Sequence, residues 1–428
     1  MASIVLVSQR LLGHVLPAVA LGAELRKRGH SVTVLGSRTN RELILRYGLN
    51  FAEIGWDKYP DLYADRMLAE LLPLLREMRP ELILTDSAQC APAYAAELLG
   101  IRWASFQTSI PLAERWLPGR AAVNAGLRKA YAKELNRVRA RFGLGRLEAG
   151  DLRTRGDCAG ISPELHLVTV LPELAEGLAE IHPQTRIIGP CEAGSPDVPD
   201  ARRSAHAAGA SRSAGSPDGE ARAASDATGA SGARGDLSGG DDPAAPAALI
   251  PPGEGPLVLA TATSVPRAEY RIATDRYIRA ALDAFRDGAC RLVISEQRPY
   301  KGVEPLPGNI RWTTYQPIHK ALLPLTDVLI THGGCGTLQT AMSSGVPMII
   351  VPLGADHPLL ARRCEELGIA VTLDAESVDA GAIRQAVNRV TGDPGYRKKA
   401  LERAQSRKTI SPARTGADYL EQLLHHHF

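Results

Sequence analysis

The chain has 428 residues, 44% of them apolar and 23% charged, the make-up of a globular protein long enough for two or three domains. Its net charge of +3 and aromatic content of 5% argue against a nucleic-acid footprint and against a base-stacking platform for single strands. No apolar run reaches the roughly 18 residues that a membrane span requires. The amino-terminal Met1-Ala2-Ser3-Ile4-Val5-Leu6-Val7-Ser8 has no basic leader region and soon turns polar, so it reads as a first strand and predicts a cytoplasmic protein. Six cysteines form no CxxC pair, which excludes zinc-ribbon and dithiol readings and leaves free thiols. The tail His425-His426-His427-Phe428 could bind metal in principle, but a frayed or extraneous end is the plainer reading.

In chain order, short apolar strands alternate with longer helical patterns, the signature of a parallel sheet covered by helices. Residues 3–7 predict a strand. Residues 17–28 predict a helix with Ala18, Leu21 and Leu25 on one face, ended by Gly29, and residues 31–35 a second strand. Residues 82–85, 103–106 and 167–170 read as further strands, and residues 64–79 as a helix between them. Residues 128–146 are basic and roughly amphipathic; a solvated helix face and a weak membrane-surface contact are both open readings. From about residue 192 to residue 254 the composition shifts to Ala, Gly, Ser, Asp, Arg and Pro. Such a segment cannot bury enough surface to offset its ordering entropy and is expected to be a disordered linker. The alternation then resumes, with strands predicted at residues 257–261, 291–295, 310–313, 328–331 and 348–351. The domain expectation is therefore 1–190, a linker over 191–255, a second domain over 256–410 and a terminal helix over 411–428 that could pack back on the first domain.

Two motifs carry chemistry. Thr331-His332-Gly333-Gly334-Cys335-Gly336-Thr337 lies between an apolar strand and a helical run. A strand, a glycine-rich turn and a helix N-terminus make an anion site, because backbone N–H groups point outward and the helix dipole favours negative charge. His332 and Thr337 can add an imidazole N–H and a hydroxyl. The turn is neither a Walker A loop nor GxGxxG, and it predicts a nucleotide diphosphate site. Further on, Asp356-His357 closes another strand, where a carboxylate could accept hydrogen bonds from sugar hydroxyls. The second motif, Gly13-His14-Val15-Leu16-Pro17, follows the first strand, and Asp86 closes Leu82-Ile83-Leu84-Thr85-Asp86. Both therefore sit at the carboxyl edge of the first sheet. A neutral imidazole titrates near the working pH and suits a general base; Asp86 reads as its orienter or as a helix cap.

The stretch from about Tyr315 to Leu373 resembles the donor-binding signature of the UDP-glycosyltransferase superfamily, which includes bacterial antibiotic, macrolide and carotenoid glycosyltransferases and the sterol glucosyltransferases. The resemblance implies an α/β GT-B fold, two Rossmann-like domains with parallel sheets facing a central cleft. It implies inverting, metal-independent transfer of a sugar from a UDP- or dTDP-sugar to a hydroxyl of a small, apolar natural product or lipid, with no cofactor beyond that co-substrate. By this resemblance His14 is the base and Asp86 its partner. His332, Gly334, Gly336, Thr337 and Thr263 would hold the diphosphate, Tyr315, Gln316 and Thr340 the nucleobase and ribose, and Asp356 with His357 the donor sugar. The chain departs from the family at three places: Ala262 replaces the usual glycine before Thr263, Thr340 a ribose-gripping glutamate, and His357 a glutamine. Trp116-Leu117-Pro118 reads either as acceptor-pocket lining or as core. A sugar-nucleotide epimerase and a non-catalytic partner of the same fold are the alternatives; the Gly-His-Val-x-Pro element favours transfer, and keeping both His14 and Asp86 argues against the second.

Overall fold

The computed structural model describes residues 1–55, 64–111, 121–148, 160–179, 181–191, 246–263, 268–314, 319–354, 356–406 and 411–425. The first sheet is built from β1 (Ser3–Val7), β2 (Ser31–Gly36), β3 (Asn50–Glu53), β4 (Leu82–Asp86), β5 (Arg102–Gln107), β6 (His166–Val168) and β7 (Thr185–Ile187), in the order β3-β2-β1-β4-β5-β6-β7. Its helices are α1 (Leu12–Lys27), α2 (Arg41–Arg46), α3 (Ala64–Met78), α4 (Cys90–Leu99), α5 (Ala121–Arg141) and the short α6 (Pro172–Ala175). The second sheet comprises β8 (Leu257–Thr261), β9 (Arg291–Ser295), β10 (Ile310–Thr313), β11 (Val328–Thr331), β12 (Met348–Ile350) and β13 (Ala370–Thr372), in the order β10-β9-β8-β11-β12-β13. It carries α7 (Ala268–Ala284), α8 (His319–Leu322), α9 (Cys335–Ser343), α10 (His357–Glu366), α11 (Ala380–Gly392) and α12 (Pro394–Ser406), and the chain closes with α13 (Pro412–His425).

Every strand pairing among the described residues is parallel. The inner strands β4 and β8 are buried at all their positions, which is why they are near-continuous apolar runs instead of alternating ones. Parallel pairing puts all carboxyl ends of a sheet on one edge. That edge is where an open α/β sheet binds ligands, and it carries the loops described below.

Two expectations need correction. The first helix starts at Leu12, five residues before Pro17, so Pro17 lies inside it. Proline has no N–H to donate, yet the backbone of His14 and Val15 already turns on Leu11 O, at 2.8 and 3.0 Å, so the turn is closed ahead of the ring. Both ends of the segment expected to be a linker are packed: Cys191 is buried in the core of the first domain, and residues 246–249 form a 3-10 turn whose Leu249, with Ile250, packs on a core cluster. The intervening residues 192–245 lie outside the described residues. The basic stretch in α5 is amphipathic as expected: Ala132, Leu135 and Val138 are buried and Arg139 pairs with Glu97 through both carboxylate oxygens at 2.8 Å, while Lys129, Lys133 and Arg137 face solvent. No helix among the described residues is long and apolar enough to cross a membrane.

Candidate active site

On the first sheet, β1 and β4 are neighbours, and their carboxyl ends deliver His14 and Asp86 to one place. His14 Nδ1 stands 2.8 Å from Asp86 Oδ2. A carboxylate only accepts, so the ring proton lies on Nδ1 and Nε2 keeps its lone pair. The Asp86 side chain is 1% exposed and that of His14 25% exposed, so the carboxylate is sheltered while the imidazole reaches solvent. The other carboxylate oxygen, Oδ1, accepts the N–H of Ala88 at 3.0 Å. Asp86 thus fixes its own turn and the imidazole together. It is not the cap of α4, whose N-cap is Gln89.

Two neighbours of His14 were not legible as site residues. Gln9 Nε2 lies 3.1 Å from Nδ1 and 3.4 Å from Nε2 of the ring. Thr108 Oγ1 lies 3.4 Å from both ring nitrogens. The only signal in the sequence was their place, just beyond the carboxyl ends of β1 and β5.

On the second sheet, β11 ends at Thr331 and α9 starts at Cys335. Gly333 makes the turn with φ +89°, a conformation that side chains disfavour, and a Cβ there would also meet Ile350 Cγ2 at 2.9 Å. Gly334 is the N-cap of α9 and provides no side-chain cap, so the first N–H groups of the helix are left for an incoming acceptor. A Cβ on Gly334 would come within 2.6 Å of His332 Nε2. The His332 ring thus occupies the space that a side chain at position 334 would take, at the mouth of the helix. Gly336 has open space around it, and Thr337 is half-buried on the first turn.

His332 is buried, and its ring meets that of His357 edge-on at 5.1 Å between centroids. Burial first, then the nearby His357 and His319, pushes the His332 imidazole down to about 3. Burial also lowers His319 and His357. The His332 imidazole is therefore held neutral. His319, in α8, was not legible as part of the site, and neither was Tyr270 of α7, whose ring lies 5.8 Å from that of His357. Asp356 is the N-cap residue of α10, with no side-chain cap bond, and His357 is the first residue of that helix. The Thr340 hydroxyl donates to Gly336 O at 3.0 Å, so it is turned into its own helix. Thr263 follows β8, which neighbours β11, and so shares the carboxyl edge with His332. Tyr315 and Gln316, like Trp116, Leu117 and Pro118, lie outside the described residues.

Two family models match the chain. The glycosyltransferase family 28 N-terminal domain matches residues 12–98, and the erythromycin biosynthesis protein CIII-like C-terminal domain matches residues 279–415. Among curated relatives, the 3-alpha-mycarosylerythronolide B desosaminyl transferase of Saccharopolyspora erythraea is 37% identical over 100 residues, 23% of this chain and 24% of that protein. The 4'-demethylrebeccamycin synthase of Lentzea aerocolonigenes is 24% identical over 91% of each chain. Of solved structures, the glycotransferase of kitacinnamycin superposes with a TM-score of 0.73 at 22% identity, covering 99% of both chains. The two family models fall one on each sheet of a single two-domain architecture, and the chain shares the GT-B fold of natural-product glycosyltransferases.

Proposed function

We propose that the chain is an inverting, metal-independent glycosyltransferase that moves a sugar from a UDP- or dTDP-sugar to a hydroxyl of a small, apolar natural product or lipid. The observation that carries this reading is the His14–Asp86 pair, 2.8 Å apart with the carboxylate buried. An acceptor hydroxyl is a poor nucleophile until its proton leaves, and a positioned imidazole supplies that step. In the reaction, the acceptor oxygen forms its bond to the anomeric carbon while the bond from that carbon to the diphosphate oxygen breaks. The hydroxyl proton passes to His14 Nε2. Asp86 holds Nδ1–H and stabilises the imidazolium as it forms.

The charge that develops on the departing diphosphate falls at the N-terminus of α9, where Gly334, Gly336 and Thr337 present N–H groups and His332 adds its own. Such preorganised donors stabilise the transition state more than the ground state. Thr263 borders the same edge, and Asp356 with His357 would receive the sugar's hydroxyls. With Thr340 committed to Gly336 O, nothing at that position grips the ribose, which supports a site open to UDP- and dTDP-sugars alike.

The test is mass spectrometry of products from UDP- and dTDP-sugars incubated with hydroxylated natural products in EDTA. An acceptor-plus-sugar mass should appear and nucleoside diphosphate should be released only with acceptor present. His14→Ala should lower turnover about 10²–10⁴-fold. Release without acceptor, or activity lost in EDTA and restored by Mg²⁺ or Mn²⁺, would count against the proposal.

A further inference from the structure

Gln9 is not part of the Gly-His-Val-x-Pro element, yet it touches the His14 ring. Its Nε2 is 3.1 Å from Nδ1 and 3.4 Å from Nε2 of the imidazole. Thr108 Oγ1 is 3.4 Å from each. The bonding directions of the two ring nitrogens diverge in the ring plane. An atom almost equidistant from both cannot lie along either direction, so it rests on a face of the ring or against its Cε1 edge. Nδ1 in any case has its partner in Asp86 Oδ2 at 2.8 Å.

We infer that Gln9 is a positioning residue for His14, which with Thr108 fixes the plane of the imidazole so that Nε2 is presented to the acceptor. This rests on the reading of His14 as the base. The need is physical. One hydrogen bond to Asp86 fixes where Nδ1 is but leaves the ring free to rotate about that bond, which would swing Nε2 away from an acceptor. Contacts on the ring itself remove that freedom, and reactions lose rate steeply when the reacting groups are misaligned. Gln9 is well placed for this because it follows β1 directly. Its loop is tied down by Asn40, whose Nδ2 donates to Arg10 O at 3.0 Å. Thr108 arrives from β5, on the far side of β4 from β1, so the contacts on the ring come from two different strands.

Among the described residues, the ionisable group bonded to His14 is Asp86, from β4; Gln9 and Ser8 on the β1–α1 loop and Thr108 after β5 are neutral, and Arg10 stands exposed on the same loop. A carboxylate introduced at position 9 would therefore add a charge directly against the imidazole.

The experiment is a histidine ¹³Cε1 NMR titration of the full chain, with the His14 signal assigned by its loss in His14→Ala. In Gln9→Glu the His14 pKa should rise by about 1–3 units, the effect of an opposite charge at contact distance. In Gln9→Leu the His14 signal should broaden or split as the ring samples more than one orientation, and Thr108→Val should do the same while Thr108→Ser stays like the parent. An unmoved His14 pKa in Gln9→Glu, or a sharp parent-like signal in both Gln9→Leu and Thr108→Val, would overturn the inference. The titration reads the surroundings of the ring whether or not His14 is the base. Failure of the base assignment itself would show separately, as undiminished turnover in His14→Ala.

Discussion

His332 and His357 are both buried, and the Nδ1 atom of each lacks a hydrogen-bond partner among the described residues. Burial pushes His332 from its ordinary 6.5 down to about 3, and this has a consequence for stability. Between those two values the unfolded chain binds a proton that the folded chain refuses, so stability rises with pH across the window and is lost as pH falls. Acidification below about pH 6 should therefore cost stability, with a slope that approaches about 1.4 kcal/mol per pH unit from His332. His332→Gln should flatten the corresponding fall in Tm; a Tm profile as steep as that of the parent would show that the imidazole is not held neutral. The same residues illustrate what a sequence reveals of a site. His14, Asp86, His332 and Asp356 stand out in the sequence as candidates because each lies at or beyond the carboxyl end of a strand in a recognisable motif. Gln9, Thr108, Tyr270 and His319 do not, because their contacts join residues from different elements. The space left by Gly334 is taken by the His332 ring.

At the scale of elements, the strands that sequence reasoning overlooked are β3, β7 and β13, and each is the edge strand of its sheet or closes one end of it. Their cause is common. An edge strand buries fewer positions, as the exposed ends of β3 illustrate, so it lacks the continuous apolar run that marks β1, β4, β8 or β11. The terminal helix α13 is the element whose contacts are least local. Ala417, Leu420 and Leu423 are buried against α1 and the first sheet. Arg28, the C-cap of α1, meets Asp418 at 2.6 Å and Glu421 at 2.7 Å, and His30 meets Glu421 at 2.9 Å. Pairs of this partly exposed kind contribute little, so the helix is held chiefly by its apolar face. Leu420→Ala should destabilise the protein by about 2–5 kcal/mol, read from urea unfolding, whereas Asp418→Ala should cost less than about 1 kcal/mol. Equal effects would mean that the ion pairs carry the contact.

In the whole molecule, the chain passes from the first sheet to the second and returns with α13, and α6 of the first domain touches both α9 and α10. Gln339 of α9 accepts the Leu171 N–H at 2.7 Å, and Arg363 of α10 donates to Glu173 O at 2.8 Å and pairs with Glu176 at 2.6 Å. Around them one apolar cluster joins Leu171 and Leu174 to Leu338 and Leu360. The two-domain α/β plan was legible from strand–helix alternation alone, since inner parallel strands are apolar throughout. The contacts between domains were not, because a buried glutamine bonded to another domain's backbone leaves no periodic trace. On the proposed function the α9 turn holds a nucleoside diphosphate that His332 helps to bind, and isothermal titration of UDP and dTDP into the full chain in EDTA tests this. Both nucleotides should bind with similar Kd, His14→Ala should leave that Kd unchanged, and His332→Ala should weaken it by about 1.5–3 kcal/mol, the loss of one donor to a charged oxygen. Absence of binding by either nucleotide, or parent-like affinity in His332→Ala, would contradict the account.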